Sequence, residues 1–297
     1  MSRYDYPDAS LATIAPLTEE QLAGQRARAG DKVRFAHGRY WREFGSGFWE
    51  ALHWLARMTE GEARRPGPCW GYRATLDDAA ADGANASLPL HLIVDIAAHD
   101  ESALPRDARY DLRRLARRGV RIVQLTDMRL FGDQGYEVML DWRRRVGLAG
   151  PTPTRERYLQ DVGRRLADDG WLVLAGIEDD RLLGYMTAWA VDDSAYLHES
   201  TVAAVGLGLG LSNALNVEAV QVLKRSGKVV RVTTGVHQPE MPSLTAYKIR
   251  HGFPVVHVPS RAWMVKPLDL ILRARRPLAY YRLTGRGSES VTGPETG

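Results

Sequence analysis

The chain has 297 residues, of which 44% are hydrophobic and 26% are charged. This balance is typical of a globular protein with a sizeable core, of one elaborated or two small domains, and it excludes a wholly disordered, collagen-like or fibrous chain. Lysine and arginine number 40 against 36 aspartate and glutamate, a net charge of +4, which is compatible with anion binding by arginine clusters but does not by itself indicate it.

The first part of the chain has an irregular hydrophobic pattern. Residues 1–30 are polar with scattered Pro and Gly, and we expect a mobile arm or a surface helix there. Residues 31–118 predict an N-terminal α/β block. Its expected elements are strands at 33–41, 69–75 and 88–95 and helices at 48–58 and 105–118. Gly119 is the expected C-terminal stop of the last helix.

From residue 120 the pattern is more regular and predicts a domain of ordinary size over 119–267. Thr154 is the expected N-cap of its second helix. The elements are, in chain order, a strand at 120–126, helices at 135–146 and 155–167, a hairpin of 171–177 with 182–191, a strand at 194–203, a helix from 211, a strand at 229–234, a helix at 243–251 and a strand at 255–265. From 268 the chain is a basic tail, and we expect 285–297 to be disordered.

Several chemistries are excluded by residue counts and spacing. Cys69 is the only cysteine, which leaves no internal disulfide and no multi-cysteine metal site. The eight histidines lack the paired spacing of metal ligands, so no metal is expected. The N-terminus has no apolar signal core, and the longest uncharged apolar run, 202–211, is too short to cross a bilayer. We therefore expect a soluble, cytoplasmic protein without membrane insertion.

A glycine run separates the strand at 194–203 from the following helix. Gly206, Gly208 and Gly210 alternate with apolar residues up to Leu211. Without β-carbons such a chain can bring successive N–H groups close to a ligand, and a helix N-terminus adds unpaired donors and partial positive charge. The run fits a phosphate or pyrophosphate, or a turn without a ligand. It does not match a dinucleotide fingerprint, which needs a glycine at the position of Leu211. It does not match a Walker loop either, because no Gly-Lys-Ser/Thr follows the run.

Residues 120–266 resemble the GNAT acyltransferase superfamily. The resemblance rests on the element order, on the glycine run opening a helix at Leu211, and on the closing segment 243–253, Ser-Leu-Thr-Ala-Tyr-Lys-Ile-Arg-His-Gly-Phe. It implies a mixed, mostly antiparallel twisted sheet flanked by helices, here with an N-terminal α/β extension. It also implies direct transfer of an acyl group from acyl-CoA to a small-molecule or peptide amine, without a covalent enzyme intermediate.

The resemblance also implies where acyl-CoA binds. The pantetheine arm would lie between the splayed strands 194–203 and 229–234, and backbone groups near Thr201 and Val202 would hold the thioester carbonyl. The residues that would cradle the phosphates are Gly206, Gly208, Gly210 and Leu211.

The same resemblance implies catalytic roles. Glu199 would be the general base, with a solvated or salt-bridged strand residue as the alternative, while His198 is expected on the opposite face of a regular strand. The family places a tyrosine general acid four residues before the closing glycine. Lys248 occupies that place here, and Tyr247 precedes it, so either residue could take this position.

Two features resemble the FemAB-like peptidyltransferases, which use aminoacyl-tRNA. One is the aromatic-lysine pair Tyr247-Lys248, and the other is the basic helix ending in Gly119-Val120. In addition, Ala203 to Val205 lacks the Gln or Arg that usually precedes the glycines in GNAT enzymes. The basic helix itself can be read as a solvated face, a surface for an RNA backbone or an anionic substrate, or a membrane-surface helix.

Three functions are therefore open. The first is an N-acyltransferase that uses acyl-CoA, the second is a FemAB-like transferase that uses aminoacyl-tRNA, and the third is a GNAT-like binding protein without catalysis. The sequence specifies neither the acceptor nor the oligomeric state.

Overall fold

The computed structural model describes residues 3–100, 106–147 and 150–287. Its helices in these ranges are α1 (Glu19–Arg28), α2 (Arg106–Arg117), α3 (Tyr136–Val146), α4 (Arg155–Ala167), α5 (Ala204–Gly208), α6 (Leu211–Arg225), α7 (Pro242–Arg250), α8 (Lys266–Arg275) and α9 (Pro277–Thr284). Its strands are β1 (Val33–Ala36), β2 (Arg39–Glu43), β3 (Phe48–Ala51), β4 (Gly71–Thr75), β5 (Ala86–Ile93), β6 (Arg121–Gln124), β7 (Trp171–Glu178), β8 (Arg181–Val191), β9 (Ser194–Val202), β10 (Arg231–Val236) and β11 (Val255–Met264).

The chain forms two compact units, each assembled from separated stretches. Unit 1 takes its described residues from 1–17, 93–234 and 250–252, and unit 2 takes them from 18–92, 235–249 and 253–297. The expected boundaries at residues 30, 118 and 267 do not follow this division, because strands distant in sequence pair within one sheet.

Unit 1 contains a mostly antiparallel sheet. Strands β6, β7, β8 and β9 pair antiparallel in that order, and β10 joins β9 in parallel. The predicted hairpin of β7 and β8 is confirmed, with positive φ at Asp179 and Asp180 in its two-residue turn, as a type I′ connection requires. The predicted cap of α4 is also confirmed, since the Arg157 backbone N–H donates to Thr154 Oγ1 at 3.2 Å.

The N-terminal segment packs into unit 1 rather than forming a mobile arm. Tyr4 and Tyr6 are buried in a core that also contains Phe131, Tyr158 and Tyr185. The Tyr6 hydroxyl donates to Asp127 Oδ1 at 2.8 Å, so the ring is buried without leaving its hydroxyl unsatisfied. Burial of each such side chain contributes about 2 kcal/mol, enough to fix the segment. The surface-helix alternative for 1–30 agrees with α1, which belongs to unit 2.

Within unit 2, the strands pair in the order β1, β2, β3, β4, β11 and β5. All of its pairings are antiparallel except that of β3 with β4. Strand β11 lies between β4 and β5, so the last strand of the expected 119–267 domain belongs here, together with α7. The predicted class, a mixed α/β fold with mostly antiparallel sheet flanked by helices, is confirmed.

The prediction of a helix at 48–58 is wrong, because the structure has strand β3 there. All four β3 residues are buried, and β2 and β4 pair with its two edges. Its sequence, Phe-Trp-Glu-Ala, lacks the alternation of apolar and polar residues that identifies a half-exposed strand, because Glu50 is buried in ion pairs with Arg42 and Arg73. A short apolar-rich run of this kind resembles a buried helix in sequence. The strand expected at 33–41 is instead a hairpin, in which His37 and Gly38 have positive φ and connect β1 with β2.

The basic tail is partly ordered. It contains the end of α8 and all of α9, where Tyr280 and Tyr281 are buried. Of the segment 285–297, for which we expect disorder, residues 288–297 lie outside the described residues.

Candidate functional site

Strands β9 and β10 of unit 1 separate after a short stretch of pairing. Their register covers three pairs and ends at Thr233 opposite Tyr196, whereas β9 continues to Val202. A bulge in β9 makes His198 an extra residue, because Leu197 pairs with Ala188 and Glu199 pairs with Thr187. The expected splay of these strands is therefore present, and the bulge sets the position of Glu199.

Glu199 lies at the centre of a polar network beside this bulge. Its carboxylate accepts hydrogen bonds from Arg165 Nη1 at 2.5 Å, Thr201 Oγ1 at 2.9 Å and the Tyr185 hydroxyl at 3.3 Å. The buried Tyr158 hydroxyl donates in turn to the Tyr185 oxygen at 3.1 Å. Thr201 is two residues beyond Glu199 on the same strand face and opposite Tyr185, which is why the three side chains meet.

The network keeps Glu199 ionised. Burial acts to raise the pKa of Glu199, but the charge of Arg165 and the hydrogen bonds from Arg165 and Thr201 outweigh it and lower the pKa below its ordinary value. Burial raises the pKa of both Tyr158 and Tyr185, so both remain neutral phenols. A carboxylate with a depressed pKa and three donors is a weak base. The arrangement agrees with the salt-bridged alternative for Glu199.

The glycine run has a helical conformation. Residues 204–208 form α5, and Gly210 has φ +81° at the N-cap of α6. The backbone N–H groups of Leu207, Leu209 and Gly210 donate to carbonyls of the same segment. These three amides are therefore already bonded to the protein and are not directed at a ligand.

An acidic side chain from α2 lies at the start of α6. A β-carbon on Gly210 would be 2.2 Å from Asp111 Cγ, and Asn213 Nδ2 donates to Asp111 Oδ2 at 2.7 Å. Arg114 also donates from Nη2 to the Gly208 carbonyl. A carboxylate is favourable at a helix N-terminus, and here it lies where the pyrophosphate of CoA is expected. In this arrangement α2 would have to move before that group could bind.

The other predicted cofactor residues have packing roles in unit 1. Leu211 is fully buried, and Thr201 and Val202 are also buried. The Val202 carbonyl accepts from Arg145 Nη2 at 3.1 Å. A β-carbon on Gly206 would be 2.7 Å from the Leu183 carbonyl oxygen, whereas one on Gly208 would meet no atom within 4 Å.

A second group of titratable side chains lies in unit 2, around Lys248 of α7. Burial lowers the pKa of Lys248 to about 8. His91 on β5 is almost fully buried, and its ring lies edge-on to that of His237 with centroids 5.4 Å apart. His237 Nδ1 and the Tyr281 hydroxyl are 2.8 Å apart. We call these four residues, Lys248, His91, His237 and Tyr281, the lysine–histidine cluster.

The two histidines of the cluster are held neutral. Burial lowers the pKa of His91; the hydrogen bond to Phe253 opposes this effect and the charge of Lys248 adds to it. Burial, followed by the charges of His257 and Lys248, lowers the pKa of His237. His91 Nδ1 is 3.0 Å from the Phe253 carbonyl oxygen, which can only accept, so Nδ1 carries the proton and Nε2 is the basic nitrogen.

The predicted catalytic residues thus belong to different units. Glu199 is in unit 1, whereas Tyr247 and Lys248 are in unit 2, where Tyr247 is partly buried. Sequence reasoning did not find Asp111, Arg165, or the cluster members His91, His237 and Tyr281. The histidines come from separate segments of the chain, so their spacing gave no signal.

The described residues contain neither a metal-binding group nor a membrane-spanning helix. No group of three or more His, Cys, Asp or Glu side chains there could hold a metal ion. None of the helices in the described part of the chain has the length and apolar character needed to cross a membrane.

Comparison with known proteins identifies the fold. No protein-family model and no curated protein matches the chain. The C-terminal domain (DUF2156) of a "Putative Lysylphosphatidylglycerol Synthetase" from Agrobacterium fabrum has 15% identity and a TM-score of 0.56, covering 90% of this chain and 94% of that domain. A conserved protein of unknown function from Bacteroides thetaiotaomicron has 10% identity and the same TM-score, covering 90% and 100%.

The GNAT enzymes among the similar structures match a smaller part of the chain. The paia N-acetyltransferase from Thermoplasma acidophilum, in complex with coenzyme A, has 16% identity and a TM-score of 0.37 over 48% of this chain and 99% of its own. The chain shares its fold with the Agrobacterium and Bacteroides proteins over 90% of its length.

Proposed function

We propose that this chain is an aminoacyltransferase that passes an aminoacyl group from aminoacyl-tRNA to a nucleophilic acceptor, with the lysine–histidine cluster as its catalytic centre. The observation that carries the proposal is Lys248, a half-buried amine with a pKa lowered to about 8, whose charge acts on two neutral histidines. Shifts of this kind favour acid–base chemistry near neutral pH.

The cluster supplies both groups that such a transfer needs. The acceptor oxygen or nitrogen attacks the ester carbonyl carbon, and a neutral histidine, His91 or His237, takes the acceptor's proton. The resulting oxyanion is stabilised by the Lys248 ammonium, which is mostly protonated at pH 7. The bond from that carbon to the ribose oxygen then breaks, and Lys248 donates a proton to the leaving oxygen.

The acceptor follows from the fold likeness by analogy. The name of the Agrobacterium protein describes joining lysine to phosphatidylglycerol, so a lipid hydroxyl is the first acceptor to test. A small-molecule or peptide amine is the second. Fold likeness alone does not fix a substrate, and the assay therefore offers both.

Acyl-CoA is the alternative donor, and the splay of β9 from β10 favours it. The position of Asp111 at the start of α6 opposes it, because that carboxylate would repel a pyrophosphate. A binding protein that has this fold but no catalytic activity is a further alternative. It predicts that no aminoacyl or acyl group is transferred from either donor.

The test measures transfer of a radiolabelled aminoacyl group from charged tRNA to phosphatidylglycerol vesicles or to amines. Lys248→Met should lower the rate at least 100-fold, the lower range for a lost acid–base group. Lys228→Met is the matched control, since Lys228 is exposed in the turn that follows helix α6 of unit 1, and it should retain the wild-type rate.

Donor identity is tested separately by thermal shift with CoA and acyl-CoAs. Absence of transfer from charged tRNA, together with a saturable shift that is lost on placing a bulky residue at Gly208, would overturn the proposal in favour of acyl-CoA. Gly208 is the suitable position because a β-carbon there meets no other atom within 4 Å.

A further inference from the structure

Helix α8 of unit 2 has two apolar faces. One faces inward, where Leu272 packs against the cluster of Phe48, Met264 and Tyr280. The other faces outward at positions spaced i, i+3, i+4 and i+7, the spacing of one helix face. It consists of Pro267, Leu270, Ile271 and Ala274, all exposed. We call these four residues the α8 stripe.

The stripe exposes large apolar side chains to water. Leu270 is 64% exposed and Ile271 is 50% exposed. Single exposed apolar residues are ordinary on protein surfaces, but a continuous stripe on one helix face is not needed for the packing of unit 2. An outward stripe of this kind indicates contact with an apolar surface.

Basic side chains border the stripe on both sides. At 100° per residue, Lys266 and Arg273 lie along one side and Arg275 lies along the other, and all three are exposed. Asp269, in the first turn, is partly buried. Cations on both sides of an apolar stripe complement a surface that is apolar inside and anionic at its edge.

We propose that α8 docks on an anionic phospholipid bilayer and lies in the plane of its surface. The α8 stripe would enter the boundary between headgroups and acyl chains, and the three cations would contact lipid phosphates. An RNA backbone would satisfy the cations but would leave Leu270 and Ile271 in water, which is why lipid is favoured. This mode of binding does not require a membrane-spanning helix.

Docking on a bilayer is argued from the residues of α8 alone. It also deepens the proposed function, because a lipid acceptor would require the chain to reach a membrane. It is measured as binding, without any transfer. Failure of the transfer assay therefore leaves it testable, and failure of docking leaves transfer to soluble amines testable.

The experiment is co-sedimentation of the full chain with vesicles of phosphatidylcholine, with or without phosphatidylglycerol. We expect clear binding only to the anionic vesicles, weakening as salt is raised. Leu270→Ser combined with Ile271→Ser should lower the partition coefficient by at least about tenfold, from the apolar area no longer buried. Replacing Arg273 and Arg275 by Gln should lower it roughly fivefold per cation.

A matched control removes comparable apolar surface elsewhere. Leu11→Ser with Val94→Ser changes two exposed residues of unit 1, which are 73% and 54% exposed, and it should bind as the wild type does. Insertion can be observed directly with an environment-sensitive dye on Leu270→Cys in a Cys69→Ser background. Its emission should shift to the blue on anionic vesicles, whereas the same dye on Leu11→Cys should not shift.

Two results would overturn the proposal. One is equal binding to vesicles with and without phosphatidylglycerol. The other is wild-type binding by the Leu270 and Ile271 double variant, with an unchanged circular dichroism melt. If the arginine variant loses tRNA binding in a filter assay while vesicle binding is absent, α8 is an RNA surface and not a lipid surface.

Discussion

Replacing Arg165 by Met should destabilise unit 1 through the carboxylate that it leaves behind. The Arg165 and Glu199 side chains are only 21% and 23% exposed, and their closest N and O atoms are 2.5 Å apart. Without the guanidinium, Glu199 keeps the hydrogen bonds from the neutral donors Thr201 and Tyr185 and a weaker interaction with His198. Removal of one partner from a buried ion pair costs about 3 kcal/mol, a large part of the stability of a typical domain.

The pH dependence separates this mechanism from simple loss of packing. In the wild type the pKa of Glu199 is lowered, so its contribution to stability is present above its ordinary pKa of 4.5 and is lost as pH falls through the lower folded value. In the variant, burial dominates and raises the pKa, so the variant regains stability as pH falls. The difference in unfolding free energy should therefore be largest at pH 7 and shrink towards pH 4.

Urea unfolding of both proteins at pH 7 and pH 4.5 measures this difference. Arg164→Met is the matched control on the same helix, because Arg164 is 51% exposed and pairs with the partly exposed Asp161. Exposed pairs contribute little, so the control should change stability by less than about 0.5 kcal/mol. Equal destabilisation by the two variants, or a cost for Arg165→Met that is independent of pH, would refute the reasoning.

Three further changes are expected to have specific effects. The rate of aminoacyl transfer by the wild type should fall as pH rises through about 8, where Lys248 loses its proton. Lys248→Arg should move this decline in rate to higher pH. Identical pH–rate profiles for the two proteins would assign the decline to another group. Gly206→Ala should lower the melting temperature by several degrees, because its β-carbon would meet the Leu183 carbonyl oxygen at 2.7 Å. Gly208→Ala should preserve or raise that temperature, and equal melting of the two variants would contradict this. Thr154→Ala should lower the free energy of unfolding, measured with urea, by about 1 kcal/mol. An unchanged free energy would mean that water replaces the hydrogen bond of the cap.

Local patterns in the sequence were sufficient for several elements of unit 1. Helix α4 has its Thr154 cap and a regular apolar period, and the β7–β8 hairpin has two residues suited to positive φ. The splay of β9 from β10 was likewise expected, from the resemblance to GNAT enzymes, and is present. In these cases the signal is carried by neighbouring residues, which local geometry relates directly.

Each candidate site, by contrast, depends on residues that are distant in sequence. The placement of Asp111 against Gly210 requires α2 to pack on α6, although a hundred residues separate them. The lysine–histidine cluster needs β5, α7 and α9 to come together, and β11 must pair with β5 to complete their sheet. Hydrophobic periodicity determines which face of an element is buried, but it does not determine which other element covers that face. The sequence by itself therefore determined most elements and the general class of fold, while only the tertiary structure decided that Glu199 is paired with Arg165 and that Lys248 is half-buried near two histidines.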